Sequence, residues 1–154
     1  MIVDPTRVCE LLVGLGDVTV LGAVDEPDGP VIVHVETRAD RPSCPGCGGS
    51  VWAKDQRPVE LVDLPAFGRP ARLVWRKRRW RCRAVECPRG SFTESIPEVP
   101  PRARVTGRVR RAIGAAVGDA NRSVSEVAGA FGVSWPTAHA AVVVAAAAAL
   151  LEPE

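Results

Sequence analysis

The sequence predicts an α+β fold in which a β-rich first part gives way to a three-helix second part, on three observations. Apolar and polar residues alternate through Val18–Val24, Val31–Glu36 and Arg72–Cys82, the period of a half-buried strand. Four cysteines stand in two pairs, Cys44/Cys47 and Cys82/Cys87, on either side of a hairpin-sized insert. Beyond the proline-rich Ile96–Pro101 stretch the apolar spacing changes to that of an amphipathic helix.

At 154 residues no single core is large, and units this small generally need a staple. The chain does not open with a basic segment, an apolar run and a cleavage site, so no secretory signal is expected and the cytoplasm is the expected compartment. There, paired cysteines serve as metal ligands more often than as disulfides, and five cysteines suit four ligands and one spare. The formal charge is only +2, yet 14 of the 20 basic residues and just 3 of the 18 acidic ones lie between Arg69 and Arg111. A basic middle in an acidic frame suggests a surface that faces a polyanion.

The elements follow in chain order. Pro5–Gly14 reads as a short helix in which Cys9, beside Leu11 and Leu12, is a buried small hydrophobe. Val18–Val24 and Val31–Glu36 are strands joined by a turn, with His34 a structural residue, so residues 1–40 form a helix and hairpin lead-in. Strands at Val51–Ala53, Val59–Leu64 and Arg72–Cys82, the last two joined by a turn at Ala66–Pro70, fill a domain over residues 41–95. Residues 96–103 are a linker, because their prolines suit neither a helix interior nor a central strand. Thr106 caps a helix that runs to about Val117 and aligns Val109, Ile113 and Val117. Ser123-Val-Ser-Glu126 has the form of a capping box and opens a second helix ending at Phe131. After a turn at Gly132-Val133, Ser134 caps a third helix with Pro136 in its first turn. From Ala140 to Leu151 that helix is apolar throughout. It is too short to span a bilayer, so no membrane partner is expected, and it suits a second copy of the chain or a further domain.

Cys44-Pro-Gly-Cys47, among Gly46, Gly48 and Gly49, is a loop in which backbone donors turn toward thiolates. Cys82 and Cys87 form the second pair, and two such pairs close tetrahedrally around one structural Zn²⁺. The alternatives are a redox Cys-x-x-Cys, which needs a strand-to-helix context, an iron site, and unliganded thiols.

Val127, Ala128, Phe131, Gly132, Val133, Ala138 and Ala141 supply bulk or smallness where a helix-turn-helix needs it, so residues 104–151 read as such a domain. Ser134, Thr137 and His139 are then the residues on the front of the recognition helix able to bond to bases. Arg102, Arg104, Arg108, Arg111 and Arg122 are placed for phosphates, as are Arg76, Lys77, Arg78, Arg79 and Arg81 on the long strand. The strand cations have no acidic neighbours in sequence, and a polyanion would relieve their repulsion. The plainer alternatives are a solvated strand face and a three-helix packing unit that touches no DNA.

Taken together, Cys44-Pro-Gly-Cys47-Gly, Val62-Asp-Leu-Pro65, Gly68, Arg78-Arg-Trp-Arg-Cys82, Cys87, Phe92, Arg104-Val-Thr106 and Ser123 through Thr137 resemble the IS-L-three insertion-sequence transposases. The likeness covers about Arg41 to Val142. It implies an N-terminal zinc ribbon followed by a three-helix helix-turn-helix unit. It also implies a nucleoid-associated protein that binds double-stranded DNA at terminal inverted repeats. In that family a metal-dependent Asp-Asp-Glu catalytic domain follows. With the chain stopping at Glu154, the expectation is a truncated recognition end that is not an enzyme. A stand-alone transcriptional regulator with the same two domains is the alternative, and a zinc scaffold for protein contacts is a third reading.

Overall fold

The structure, a computed structural model, describes residues 4–152. Helix α1 (Pro5–Val13) is followed by strands β1 (Val18–Asp25), β2 (Val31–Thr37), β3 (Val51–Ala66), β4 (Arg69–Cys82) and β5 (Ser91–Thr93). Helices α2 (Gly107–Gly118), α3 (Val124–Phe131) and α4 (Trp135–Leu151) complete the chain. The sheet has the order β1-β2-β4-β3, and β5 pairs antiparallel with β4 through Arg79↔Thr93, Trp80↔Phe92 and Arg81↔Ser91. Two compact units emerge. Among the described residues, one holds 4–23 with Val33–Glu60 and Val74–Ile96; the other holds Val24–Ile32, Leu61–Leu73 and 97–152.

In the first unit α1 starts where the Asp4 carboxylate accepts from the backbone N–H groups of Thr6 and Arg7, and stops at Gly14 in the left-handed conformation. None of its residues is buried. The expectation of a buried Cys9 is therefore corrected to a half-buried one, on a helix whose Leu11 and Leu12 face solvent. The expected break between Ala53 and Val59 is also corrected, since β3 runs unbroken through it. As the last strand of the sheet β3 has one edge that no other named strand covers, which tolerates Pro58 and the charges of Lys54, Asp55 and Arg57. Strand β4 buries Ala71, Leu73 and Trp75 and then Trp80 and Cys82, so its inward face changes parity across Arg76–Arg79. Trp75 is fully buried and donates from Nε1 to Thr37 Oγ1 at 3.0 Å.

In the second unit β3 turns into β4 through Phe67 and Gly68, both at positive φ (52° and 79°), which gives the hairpin the twist its strands require. The three helices enclose Val109, Ile113, Val127, Phe131, Ala138 and Ala141, joined by Val62 and Val105. Val62 and Val105 form a parallel bridge, with Val62 N–H donating to the Arg104 carbonyl and Thr106 N–H to the Val62 carbonyl. Gly114 lies where a Cβ would stand 2.6 Å from Ala145 Cβ, so the close crossing of α2 and α4 depends on this glycine.

The start of α2 differs from the expected cap. Thr106 occupies the capping position, but its hydroxyl donates to Asp63 Oδ1 at 2.9 Å and makes no bond to the helix. Glu98 does the capping instead: its carbonyl accepts from Gly107 N–H at 2.7 Å and its Oε2 from Arg108 N–H at 2.6 Å. At α3, Ser123 Oγ accepts from Glu126 N–H as a capping box requires, while the Glu126 carboxylate accepts from Arg122.

Candidate metal centre and nucleic-acid interface

Two loops bring the four cysteines together. Cys44 N–H donates to the Gly49 carbonyl and Gly48 N–H to the Cys44 carbonyl, a tight turn that Gly48 completes at positive φ. Cys82 N–H donates to the Gly90 carbonyl and Cys87 N–H to the Ala84 carbonyl, closing the second loop. Each loop directs backbone N–H at a sulfur, among them Gly46 to Cys44 and Ala84 to Cys82, both at 3.4 Å. A Cβ at Gly46 would meet Arg89 Cβ at 2.9 Å and Cys87 Sγ at 3.3 Å, so the first loop passes too close to the second for any side chain.

The four sulfurs lie within 4.8 Å of one another, with Cys44–Cys87 at 3.7 Å and Cys47–Cys82 at 3.5 Å. A tetrahedron with Zn–S of ~2.3 Å has edges of ~3.8 Å, so the spacing fits that ion. Cys44 and Cys82, with Val51 and Trp80, form a small buried cluster against which Cys87 and Phe92 pack. Charge points the same way. The backbone N–H of Cys47 foremost, against burial and with Gly46 N–H and the neighbouring sulfurs helping, draws the Cys44 thiol down to about 7. At Cys82 the Ala84 N–H favours the thiolate, but burial and the other three sulfurs together push it up to about 12. One thiolate forms readily and the next resists, the electrostatics of a site that needs a cation. The cluster thus suggests zinc binding.

The basic residues divide into two groups. On the ribbon, Arg78 Nε donates to Glu94 Oε2 at 2.9 Å and its other arm to the Ala39 carbonyl at 2.6 Å, over the Trp80 ring at 5.0 Å. Arg79 pairs with Asp55 at 3.2 Å, and Lys77 sits 4.9 Å from the Trp75 ring. The expectation of a strand without acidic partners is therefore corrected: Asp55 arrives from β3 and Glu94 from just beyond β5, 24 and 16 residues away in sequence. Arg76, Arg81 and Arg83 are exposed and make no ion pair among the described residues.

In the helical unit Arg108 grips Asp63 with two arms, Nε to Oδ1 at 2.8 Å and Nη2 to Oδ2, with side-chain exposures of 18% and 5%. Asp63 thus holds Thr106 and Arg108 at once. Sequence reasoning missed this role, although an acid within Leu61-Val62-Asp63-Leu64 was the available signal. Arg111 pairs with Glu98 at 2.6 Å and Arg122 with Glu126 at 2.9 Å, both on the surface. Arg102, Arg104 and Arg110 are exposed and without an ion pair among the described residues.

Helices α3 and α4 are bent by 114° about Gly132, which is left-handed at φ 67°. At the start of α4, Ser134 Oγ accepts from Thr137 N–H at 3.4 Å and lies 2.9 Å from Thr137 Oγ1, so both expected base-bonding hydroxyls take part in capping. His139 is exposed and stacks on Trp135 at 4.7 Å between centroids and 11° between planes. Farther on, Val143, Val144, Leu150 and Leu151 are exposed, and no single helix among the described residues is long and apolar enough to cross a membrane.

Two family models match the chain in succession. Residues 40–87 match the zinc-finger of transposase IS204/IS1001/IS1096/IS1165, and residues 94–143 match the helix-turn-helix domain of transposase family ISL3. The first match contains all four cysteines and the second contains α2, α3 and the first half of α4. A catalytic domain is not among the matches. Comparison with curated proteins and with solved structures returns no match.

Proposed function

We propose that this chain, which belongs to the ISL3 family of transposases, is the part that recognises the terminal inverted repeats of its element. In this reading one Zn²⁺, held by Cys44, Cys47, Cys82 and Cys87, fixes the ribbon and takes no part in chemistry, because four sulfurs leave no open coordination position. Helices α2, α3 and α4 act as a three-helix helix-turn-helix unit, with α4 entering the major groove; the 114° bend between α3 and α4 lies in the range of such motifs. Exposed arginines of both units hold phosphates and supply most of the affinity. Cutting and joining fall to the family's Asp-Asp-Glu domain and not to residues 40–143. The exposed apolar end of α4 suits a second copy or a further domain.

The observation that carries the reading is the succession of the two matched domains in one chain, in the order ribbon then helices. Gel shift of the zinc-loaded chain on the inverted repeats flanking its gene, against scrambled DNA over a salt series, tests it. Tighter binding to the repeats and a steep loss with salt are expected. Equal binding to both DNAs at every salt concentration removes the repeats from the reading, and salt-independent binding removes DNA.

A further inference from the structure

The front of α4 has few side chains that reach outward. Ala138 and Ala141 are buried, Pro136 and Ala140 are exposed but short, and the Ser134 and Thr137 hydroxyls cap the helix against each other. Trp135 and His139 remain. They stand one helical turn apart, and their rings are nearly parallel at 4.7 Å. Trp135 is 49% exposed although it is the first residue of the helix, where an indole brings no capping benefit. A large apolar ring held in water by a second ring is preorganised for contact, since the stack has already removed the rotamer freedom that binding would otherwise remove.

We propose that Trp135, positioned by His139, is the residue through which α4 prefers one DNA sequence to another, and that the group it reads is the C5-methyl of a thymine. The inference rests on the DNA-binding reading above and adds to it the base and the residue. In the major groove each base pair offers a distinct pattern, and thymine alone presents a methyl group. An indole can neither accept from adenine N6 nor make a bidentate contact with guanine, whereas its apolar edge gains by covering a methyl. No Arg, Lys, Asn or Gln lies between Ser134 and Val144 to compete as reader. His139 holds the indole in place from the next turn.

The test needs one atom-scale change in the DNA. A preferred site is selected from random duplexes by the zinc-loaded full chain, and each thymine in it is then replaced by uracil, which removes only the methyl. At one position binding weakens about fourfold, the factor for one buried methyl group. Trp135→Ala binds the thymine and uracil sites equally, Trp135→Phe keeps part of the discrimination, and His139→Ala reduces it, all with unaltered zinc content and melting. The inference is overturned if uracil costs nothing at any position, if the selected site lacks thymine, or if Trp135→Ala retains the wild-type preference. Those results leave salt-dependent DNA binding intact. Failure of the wild-type chain to bind any duplex overturns the DNA reading and this inference with it.

Discussion

Replacing Asp63 by Asn should destabilise the helical unit by about 3 kcal/mol, at the lower end of the cost of breaking a buried ion pair. The carboxylate is nearly inaccessible and accepts from both arms of Arg108, itself only 18% exposed, and from the fully buried Thr106 hydroxyl. Asn keeps an oxygen for Thr106 but removes the negative charge that the largely buried Arg108 guanidinium faces with two arms. Asp63→Ala should cost about 1 kcal/mol more, because the Thr106 hydroxyl then loses its acceptor as well. Arg111→Ala is the control: its pair with Glu98 is 68% exposed on the arginine side, and the loss should stay below about 1 kcal/mol. Urea unfolding of the zinc-loaded proteins measures all three, with an unchanged m-value expected. Asp63→Asn with Arg108→Gln should be less destabilised than the sum of the single changes, by about 2 kcal/mol. An Asp63→Asn variant within 1 kcal/mol of the wild type would refute the buried-pin reasoning.

Gly114→Ala removes a helix-weakening glycine, which on propensity alone adds about 1 kcal/mol. Its new Cβ, however, would stand 2.6 Å from Ala145 Cβ, so a net loss of about 1–2 kcal/mol is expected by thermal melting, reversed in part by adding Ala145→Gly. Zinc should bind at one ion per chain, and a strong chelator should unfold the ribbon, both visible by atomic absorption and circular dichroism. With Cys44 near 7, the plot of log affinity for zinc against pH should steepen by about one unit below pH 7, where that thiol must also shed a proton.

Strands β1, β2 and β4, the turn at Gly132 and the four cysteines are legible because each signal is local: alternation, a glycine before a capping serine, and a short spacing within each pair. What stayed hidden depends on partners far apart along the chain. Thr106 has the look of a cap, yet a carboxylate 43 residues earlier claims its hydroxyl, and Glu98 takes over the helix N-terminus. Arg78 and Arg79 seem uncompensated until β4 meets Glu94 and Asp55. The Lys54–Pro58 stretch reads as a break, because nothing in it says that it will lie on a sheet edge, where pairing on one side suffices. Gly114 looks like a weak spot in α2 until α4 crosses it. Cys9 departs from its expected burial because apolar neighbours alone do not make a core, and α1 has no buried residue.

The ion pairs also decide how steeply DNA binding should depend on salt. Arg78, Arg79, Arg108, Arg111 and Arg122 already face carboxylates, and turning one toward a phosphate exchanges one anion for another while leaving the abandoned carboxylate beside the DNA. Such an exchange gains little. Exposed arginines with no carboxylate partner among the described residues stand at Arg76, Arg81 and Arg83 on the ribbon and at Arg102, Arg104 and Arg110 in the helical unit. Six contacts give a slope of log affinity against log salt of about −5, whereas enlisting the paired arginines as well would bring it to about −10. Arg81→Gln should make the slope shallower by about 1 without lowering stability, while Arg78→Gln should lower stability by freeing the nearly buried Glu94 and leave the slope unchanged. A wild-type slope near −10, or equal slope changes in the two variants, would mean that the pairs open on DNA and that these carboxylates only hold the arginines in reserve.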